Sequence, residues 1–246
     1  MTFGHPRRHY RRTDSTNERA RELAADGAPS GTVVTAAEQS AGRGRRGRTW
    51  SAPPGKALLY SAVLRPLESR HALLPLAVPL AVCDAIESLA PVSCGVKWPN
   101  DVWVGGRKVA GVLIEARPPE WAVIGVGVNV AIADHEFPSD VRWPATSVGH
   151  GVDVEAVLAA LNDAMGHWVE AAPDPVLDAY RGRDVLRGRE VSWAGASAGH
   201  EAGSGTGAGI DADGNLLVRL EDGGRLQLGA GEVQLTLGPQ APEAGR

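Results

Sequence analysis

Hydrophobic positions along this chain follow two spacings, and together they predict an α+β fold. Apolar runs of strand length lie at 32–36, 57–64, 92–98, 101–104, 108–116 and 121–130. Such runs, bounded by turn residues, are typical of buried strands. Helical spacing predicts helices over 18–25, 73–89, 175–180, and from Asp153 to before Pro173. Pro75 and Pro79 predict that the regular part of the second helix begins near Pro79, and residues 1–10 are expected to form a loose tail.

A different pattern begins near Arg187, where the chain changes to short strands separated by turns. These predicted strands lie at 190–193, 207–211, 215–220, 225–228 and 232–236. Asp-Gly pairs between them are hairpin signals. The sequence therefore predicts an α+β domain over 11–186 and a small β-barrel over 187–237. The stretch 194–209 is rich in Gly, Ala and Ser, which predicts a flexible hairpin tip.

Composition removes several classes of protein. The chain has 246 residues, a net charge of −4 and two cysteines, so a disulfide framework is excluded and nucleic acid has no global electrostatic attraction for it. The seven histidines show no metal-ligand spacing. The most apolar run, 73–83, is too short to span a bilayer. We expect a soluble cytoplasmic protein in a reducing compartment, without a membrane partner.

The segment 42–48 has the most distinctive chemistry. Four arginines and three glycines share seven residues directly after a predicted strand. Glycine lets the backbone approach an anion, and arginine supplies planar donors for carboxylate or phosphate. Three interpretations stay open for this loop: anion binding in an enzyme, contact with nucleic acid, and a solvated basic loop.

Three further segments carry polar groups next to apolar strands. Lys97 and Asp101 flank a Pro-Asn pair, which indicates either a cation and a carboxylate at a sheet edge or an ordinary β-turn. Lys108 begins an otherwise apolar strand. Asn129 ends a run in which Gly and Val alternate, a pattern that indicates something packed against the strand backbone. Its amide fits either an adenine edge or a strand-end cap.

Taken together, these segments resemble the biotin protein ligase family. The motifs that carry the resemblance are GRGRRGRTW at 42–50, KWPNDVW at 97–103, RKVAGVLIE at 107–115, GVGVN at 125–129 and DSTN at 14–17. The resemblance implies a mixed sheet flanked by helices and followed by a small SH3-like β-barrel. It also implies a two-step ligation, in which biotin and ATP form biotinyl-5′-AMP and a carrier lysine then takes the biotinyl group.

The resemblance assigns a biotin role to several residues. Ser15, Thr16, Asn17 and Gln39 would contact the head group of biotin. Arg43, Gly44 and Arg45 would close over biotin and hold carboxylate and phosphate oxygens. Lys108 would touch the biotin carboxylate or the α-phosphate and stabilise charge as the anhydride forms.

The same resemblance assigns ATP and acceptor roles. The residues implied in ATP binding are Arg43, Arg45, Arg46, Lys108, Asn129 and Trp143. Asn129 would read adenine, and Trp143 would stack on it. Asp101 and Lys97, implied together with Lys108 and Arg45 in catalysis, would orient either the attacking lysine or a Mg²⁺–ATP complex. No metal ligands are assigned. Trp50 and Trp98 are expected to pack in the interior.

The expected partner is a biotin carboxyl carrier domain, and a homodimer is possible because some members of the family dimerise. Repressor-type members carry an N-terminal helix-turn-helix, which these residues do not show, so DNA binding is not expected. Two alternatives to biotin ligation stay open. One is a lipoate or octanoate ligase or transferase on the same fold, and the other is a nucleic-acid-binding regulator based on the arginine loop.

Overall fold

The apolar runs build one seven-stranded sheet with helices on both faces. A computed structural model describes residues 1–139, 143–149, 151–194, 202–230 and 234–237. The strands are β1 (Arg7–Tyr10), β2 (Val33–Ala36), β3 (Ala57–Leu64), β4 (Cys94–Lys97), β5 (Asp101–Val104), β6 (Arg107–Arg117) and β7 (Trp121–Asn129). Their order is β1-β2-β3-β7-β6-β5-β4. β1 and β2 are parallel and all other neighbours are antiparallel, so the predicted mixed sheet is confirmed.

Four helices flank this sheet within the described residues: α1 (Thr16–Ala25), α2 (Leu74–Glu87), α3 (Val154–Trp168) and α4 (Pro173–Arg183). α1 packs on β2, β3 and β7, while α2 and α3 pack on the other face of the sheet. The central strand β3 is buried at all eight positions. Leu58 and Tyr60 join the core under α2 and α3, whereas Val63 joins the core under α1. Burial on both faces explains why β3 is a continuous apolar run.

Two expectations about the N-terminal part are wrong. Arg7–Tyr10 is not a loose tail but β1, in register with β2, and Phe3 is only 3% exposed. β1 pairs with a parallel strand some 26 residues away, and such a pairing leaves no periodic pattern in the local sequence. Hydrophobic periodicity therefore could not predict β1. The second helix begins regularly at Leu74 rather than near Pro79. Pro75 lies in the first turn, where a missing N–H removes no helical hydrogen bond, and the helix continues through Pro79.

The C-terminal strands form a second, five-stranded antiparallel sheet. It contains β8 (Glu190–Ala194), β9 (Gly203–Ile210), β10 (Leu216–Arg219), β11 (Arg225–Leu228) and β12 (Gln234–Leu237), in the order β11-β10-β9-β8-β12. The expected flexible hairpin tip over 194–209 is wrong for 203–209, which belong to β9, and 195–201 lie outside the described residues. Trp98, 1% exposed, donates its indole N–H to the Gly214 carbonyl at 3.0 Å and joins the two sheets.

One helical stretch of the described residues, Ser69–Glu87, is long and apolar enough to cross a membrane by length and composition alone. It comprises a 3-10 turn at Ser69–Leu73 followed by α2. Within the window tested, 72% of the residues are buried inside the protein. Leu76, Leu80 and Ile86 each expose 2% or less, so the apolar surface of this helix is covered by the sheet and by α3.

Candidate active site

A cavity of about 100 Å³ opens where α1, the arginine loop and the middle of the sheet meet. The predicted site residues that line it are Ser15, Thr16, Asn17, Gln39, Arg43, Gly44, Arg45, Asp101 and Lys108. They come from four separate parts of the chain, so the tertiary fold brings together most of the residues that the motifs singled out. Four predicted residues do not line it: Lys97, Asn129, Trp143 and Arg46.

The inner end of the cavity is a chain of hydrogen-bonded polar side chains. The Gln39 Oε1 atom accepts from the Thr16 backbone N–H at 2.7 Å and from its hydroxyl at 3.0 Å. The Ser61 hydroxyl lies 2.8 Å from Thr16 Oγ1 and 2.7 Å from Asn17 Oδ1, and its single proton serves one of them at a time. Ser15, Thr16 and Asn17 are each at most 5% exposed. Buried polar groups with fixed partners form a rigid surface for a small polar head group.

Glycines in β6 and β7 form the floor of the cavity. A methyl group on Gly125 would lie 2.1 Å from Asn17 Oδ1, and one on Gly127 would lie 2.4 Å from the Trp50 ring. Both positions therefore require glycine, because side chains cross directly over the strand. This confirms the prediction that something packs against the Gly-Val alternation.

Trp50 is the cavity residue whose role the sequence did not reveal. It packs, as expected, but it does so as a wall of the cavity. Its indole nitrogen is buried and has no hydrogen-bond partner among the described residues. The ammonium of Lys108 lies 5.5 Å from its ring centroid, within range of a cation–π contact. The sequence did hold a signal for this role, because Trp50 ends the arginine motif and the glycine-rich strands leave space for a large ring.

The arginine loop is a closed turn whose two ends are held together. Trp50 donates its backbone N–H to the Gly42 carbonyl at 3.0 Å, and Gly44 donates to the Arg48 carbonyl at 2.7 Å. At its tip Arg46 adopts φ 59 and ψ 42, in the left-handed region. The tip directs Arg46 away from the cavity and into an outer groove of about 630 Å³, formed mostly by the loop itself.

The arginines of the loop point to different partners. Arg43 is bound by Glu18, at 2.9 Å, and by Glu115. Arg45 contacts the carbonyl of Ala230, which lies in the turn after β11, and lies 3.4 Å from Asn100 Oδ1. Burial lowers the pKa of Arg45, and the nearby positive charge of Arg48 adds to this effect. Arg45 is thus a desolvated cation at the cavity, and an anion placed beside it would be strongly attracted.

Lys108 and Asp101 form an ion pair on one side of the cavity. The distance between Lys108 Nζ and Asp101 Oδ1 is 2.6 Å, and the two side chains are 22% and 6% exposed. Asp101 begins β5 and Lys108 lies near the start of β6, so the hairpin between these strands sets the pair. Backbone hydrogen bonds to Pro144 and Thr146 hold Lys108 from the other side. The pair gives the cavity a positioned cation whose charge is partly compensated.

Asn129 and Trp143 lie beyond this pair, on the side of the loop that follows β7. Asn129 is buried and donates its side-chain amide to the Thr146 carbonyl at 3.0 Å, which is the strand-end cap considered for it. The Trp143 ring packs edge-on against Trp103, with centroids 5.6 Å apart, and the buried Lys97 ammonium lies 4.7 Å from its centroid. A second hollow of about 390 Å³ lies next to Thr146, between 131–134 and 146–149.

Comparison with known proteins agrees with this arrangement. A sequence profile described as the Biotin/lipoate A/B protein ligase family matches residues 9–129. The biotin–[acetyl-CoA-carboxylase] ligase of Paracoccus denitrificans is 38% identical, and the alignment covers 90% of this chain and 97% of that protein. This chain belongs to the biotin protein ligase family.

Other relatives agree in sequence and in structure. The bifunctional ligase/repressor BirA of Bacillus subtilis is 39% identical over 155 residues, which cover 58% of this chain and 47% of that protein. The chain thus spans about half the length of the Bacillus relatives it matches. The biotin protein ligase from Aquifex aeolicus in complex with biotin and ATP superposes with a TM-score of 0.81 at 28% identity, covering 94% of this chain and 99% of that one.

Proposed function

We propose that this biotin protein ligase family member uses ATP to attach biotin to a lysine of a biotin carboxyl carrier domain. The observation that carries the proposal is the cavity that joins the polar Ser15–Asn17 segment, the arginine loop and the Lys108–Asp101 pair. The names of the relatives, which refer to biotin, ATP and acetyl-CoA carboxylase, support the same substrates.

In the first step we propose that a biotin carboxylate oxygen attacks the α-phosphorus of ATP, and pyrophosphate leaves. Ser15, Thr16, Asn17 and Gln39 would hold the head group, and Gly44 would let the loop backbone come close to the bound molecule. Lys108, Arg43 and Arg45 would stabilise the negative charge that builds up between carboxylate and phosphate. Such preorganised cations contribute most where water is excluded, and Arg45 is desolvated in this way.

For the nucleotide, we propose that adenine binds near Asn129 and Trp143 and that Arg46 contacts phosphate from the loop tip. ATP would arrive as its Mg²⁺ complex, since Mg²⁺ is usually held by phosphates and one or two carboxylates. Among the described residues no group of three metal-ligating side chains occurs, and Asp101 is the carboxylate that lines the cavity. The second hollow, beside the loop that holds Asn129, offers space for the nucleotide.

In the second step, the acceptor lysine amine attacks the acyl carbon of biotinyl-5′-AMP, AMP leaves and the amine loses a proton. We propose that Asp101 and Lys97 orient either this lysine or the Mg²⁺–ATP complex. Asp101 is placed for either role because it lies beside Lys108 at the cavity. No side chain serves as a covalent nucleophile, because both steps use nucleophiles supplied by the substrates.

We further propose that 187–237 form a separate SH3-like β-barrel domain after a catalytic domain over 11–186. The five-stranded antiparallel order and the short strands support this assignment. The contact between Arg45 and the Ala230 carbonyl brings the turn after β11 against the arginine loop. It would therefore influence how the loop closes.

The decisive test is incubation of the purified protein with biotin, MgATP and a biotin carboxyl carrier domain, followed by mass spectrometry of the acceptor. One biotinyl adduct that depends on ATP is the expected result. Pyrophosphate release without an adduct would mean that the acceptor is wrong. With neither product, lipoate in place of biotin tests the alternative within the same family, and labelling by lipoate alone would overturn the proposal.

A further inference from the structure

The carboxylate of Glu115 lies between the polar end of the cavity and the arginine loop. Glu115 is near the end of β6, and its side chain is 25% exposed. Its Oε2 atom accepts from Asn17 Nδ2 at 2.8 Å, and its Oε1 atom pairs with Arg43. One carboxylate thus holds a cavity side chain and a loop side chain that are 26 positions apart in the sequence.

The contact with Asn17 fixes the orientation of that amide. A carboxylate accepts hydrogen bonds only, so Glu115 holds the NH₂ end of Asn17, and the oxygen end lies 2.7 Å from the Ser61 hydroxyl. Asn17 lies directly over Gly125, where an added methyl group would come within 2.1 Å of Asn17 Oδ1. Asn17 Nδ2 also lies 3.4 Å from the Leu113 carbonyl, but Glu115 is its shorter and charged partner. The hydrogen-bonding groups that Asn17 offers to a bound head group therefore depend chiefly on the charge and position of Glu115.

The contact with Arg43 acts on the loop. Arg43 lies at the base of the closed turn, next to the Gly42–Trp50 and Gly44–Arg48 hydrogen bonds. Its second partner, Glu18, is on α1, and the Glu18 carboxylate binds Arg21 and Arg43, whereas Glu115 binds Asn17 and Arg43. Because charge-assisted pairs are the stronger hydrogen bonds, releasing Arg43 from Glu115 would loosen the base of the loop.

We propose that Glu115 is a positioning residue that couples occupation of the biotin end of the cavity to closure of the arginine loop. The proposal rests on the proposed function, since it takes biotin as the ligand at Asn17. A ligand that holds Asn17 in place also holds Glu115 in the position from which it binds Arg43, and so favours the closed loop. By thermodynamic linkage, closure of the loop raises the affinity for that ligand by the same factor by which the ligand favours closure.

Trypsin provides a direct measure of loop closure, because Arg43, Arg45, Arg46 and Arg48 are themselves cleavage sites. The rate of cleavage in 43–48 of the full chain would be followed by mass spectrometry without ligand and with saturating biotin. In the wild type, biotin is expected to slow cleavage. Glu115→Gln keeps an oxygen that can accept from Asn17, but it removes the negative charge that binds Arg43. We therefore expect cleavage without ligand to be about tenfold faster in this variant, and most of the protection by biotin to be lost.

Kinetics separate positioning from catalysis. For Glu115→Gln we expect the KM for biotin to rise about tenfold while kcat for pyrophosphate release stays within about twofold. Glu18→Gln is the matched control for the loop alone: cleavage without ligand should be faster, but the protection factor should match that of the wild type. Glu22→Gln removes a carboxylate that pairs with Arg19 on the same helix and should change neither quantity.

The outcomes distinguish this inference from the proposed function. Calorimetry of the wild type with biotin comes first, and absence of binding would overturn both. Binding without protection of the loop, or equal protection in wild type and Glu115→Gln, would overturn only the coupling. If Glu115→Gln does not fold, Glu115→Asp replaces it: the shorter side chain cannot reach both partners, so retained protection in that variant would also refute the proposal.

Discussion

Replacing Lys108 by alanine is expected to affect both the stability and the chemistry of this protein, and the two effects can be separated. The variant leaves Asp101, whose side chain is 6% exposed, without the ammonium 2.6 Å away. Removing one partner of a buried ion pair costs about 3–5 kcal/mol. Lys108 is 22% exposed and Arg45 is a second cation acting on Asp101, so we expect a loss below that range, about 2–3 kcal/mol.

The companion variant is the double substitution Lys108→Ala/Asp101→Asn, which replaces the orphaned carboxylate by a neutral amide. Urea unfolding followed by circular dichroism would give both free energies of unfolding. We expect the double variant to recover about 1–2 kcal/mol of the stability lost in Lys108→Ala, because an uncharged amide is less costly to bury. The single variant Asp101→Asn completes a double-mutant cycle, and its coupling energy isolates the Lys108–Asp101 pair.

The activity should not recover together with the stability. If Lys108 stabilises charge in the adenylation step, both variants should release pyrophosphate from biotin and ATP at least about a hundredfold more slowly than the wild type. Turnover at the wild-type rate in Lys108→Ala would show that Lys108 is not in the active site. Recovery of activity in the double variant would show that the loss came from the destabilised Asp101 and not from missing transition-state charge.

Three further predictions concern the loop, the cavity floor and the 3-10 turn before α2. Arg45→Ala should release pre-formed biotinyl-AMP about tenfold faster; an unchanged dissociation rate would mean that Arg45 does not hold the adenylate. Gly125→Ala should displace Asn17 and weaken biotin binding in calorimetry by about tenfold or more, whereas Gly182→Ala, with open space around it, should bind normally. Burial and Arg70 lower the pKa of His71, whose Nδ1 accepts from the Glu68 N–H. Below about pH 6.5 the histidine is protonated in the unfolded chain, whereas His71 in the folded protein stays neutral. The free energy of unfolding should therefore decrease as the pH is lowered, by at most about 1.4 kcal/mol per pH unit from this group. In His71→Gln this part of the slope should vanish, and an unchanged slope would contradict the assignment.

Local sequence pattern predicted much of the fold because the forces that define a strand or a helix act over a few residues. β3 and β11 match the predicted ranges, and Asp153 caps α3 by accepting from the Ala156 N–H at 2.7 Å. The errors occurred where a distant partner decides the structure. β1 forms because its backbone pairs with β2. Pro79 is tolerated inside α2 because packing within the core outweighs one missing hydrogen bond.

For the candidate site, too, some features could be predicted from the sequence and others could not. The sequence by itself determined which residue types are present: arginines and glycines in one loop, a lysine at the start of β6, and glycines in β7 that leave space for other side chains. Only the tertiary structure decided that Trp50 lies over those glycines, that Lys108 pairs with Asp101, and that Glu115 joins Asn17 to Arg43. The reason is that periodicity reports on neighbours within a turn or a strand, whereas Asn17 and Glu115 meet across 98 positions of the chain. Such contacts depend on how the strands are ordered in the sheet, and that order is fixed by the packing of the whole core.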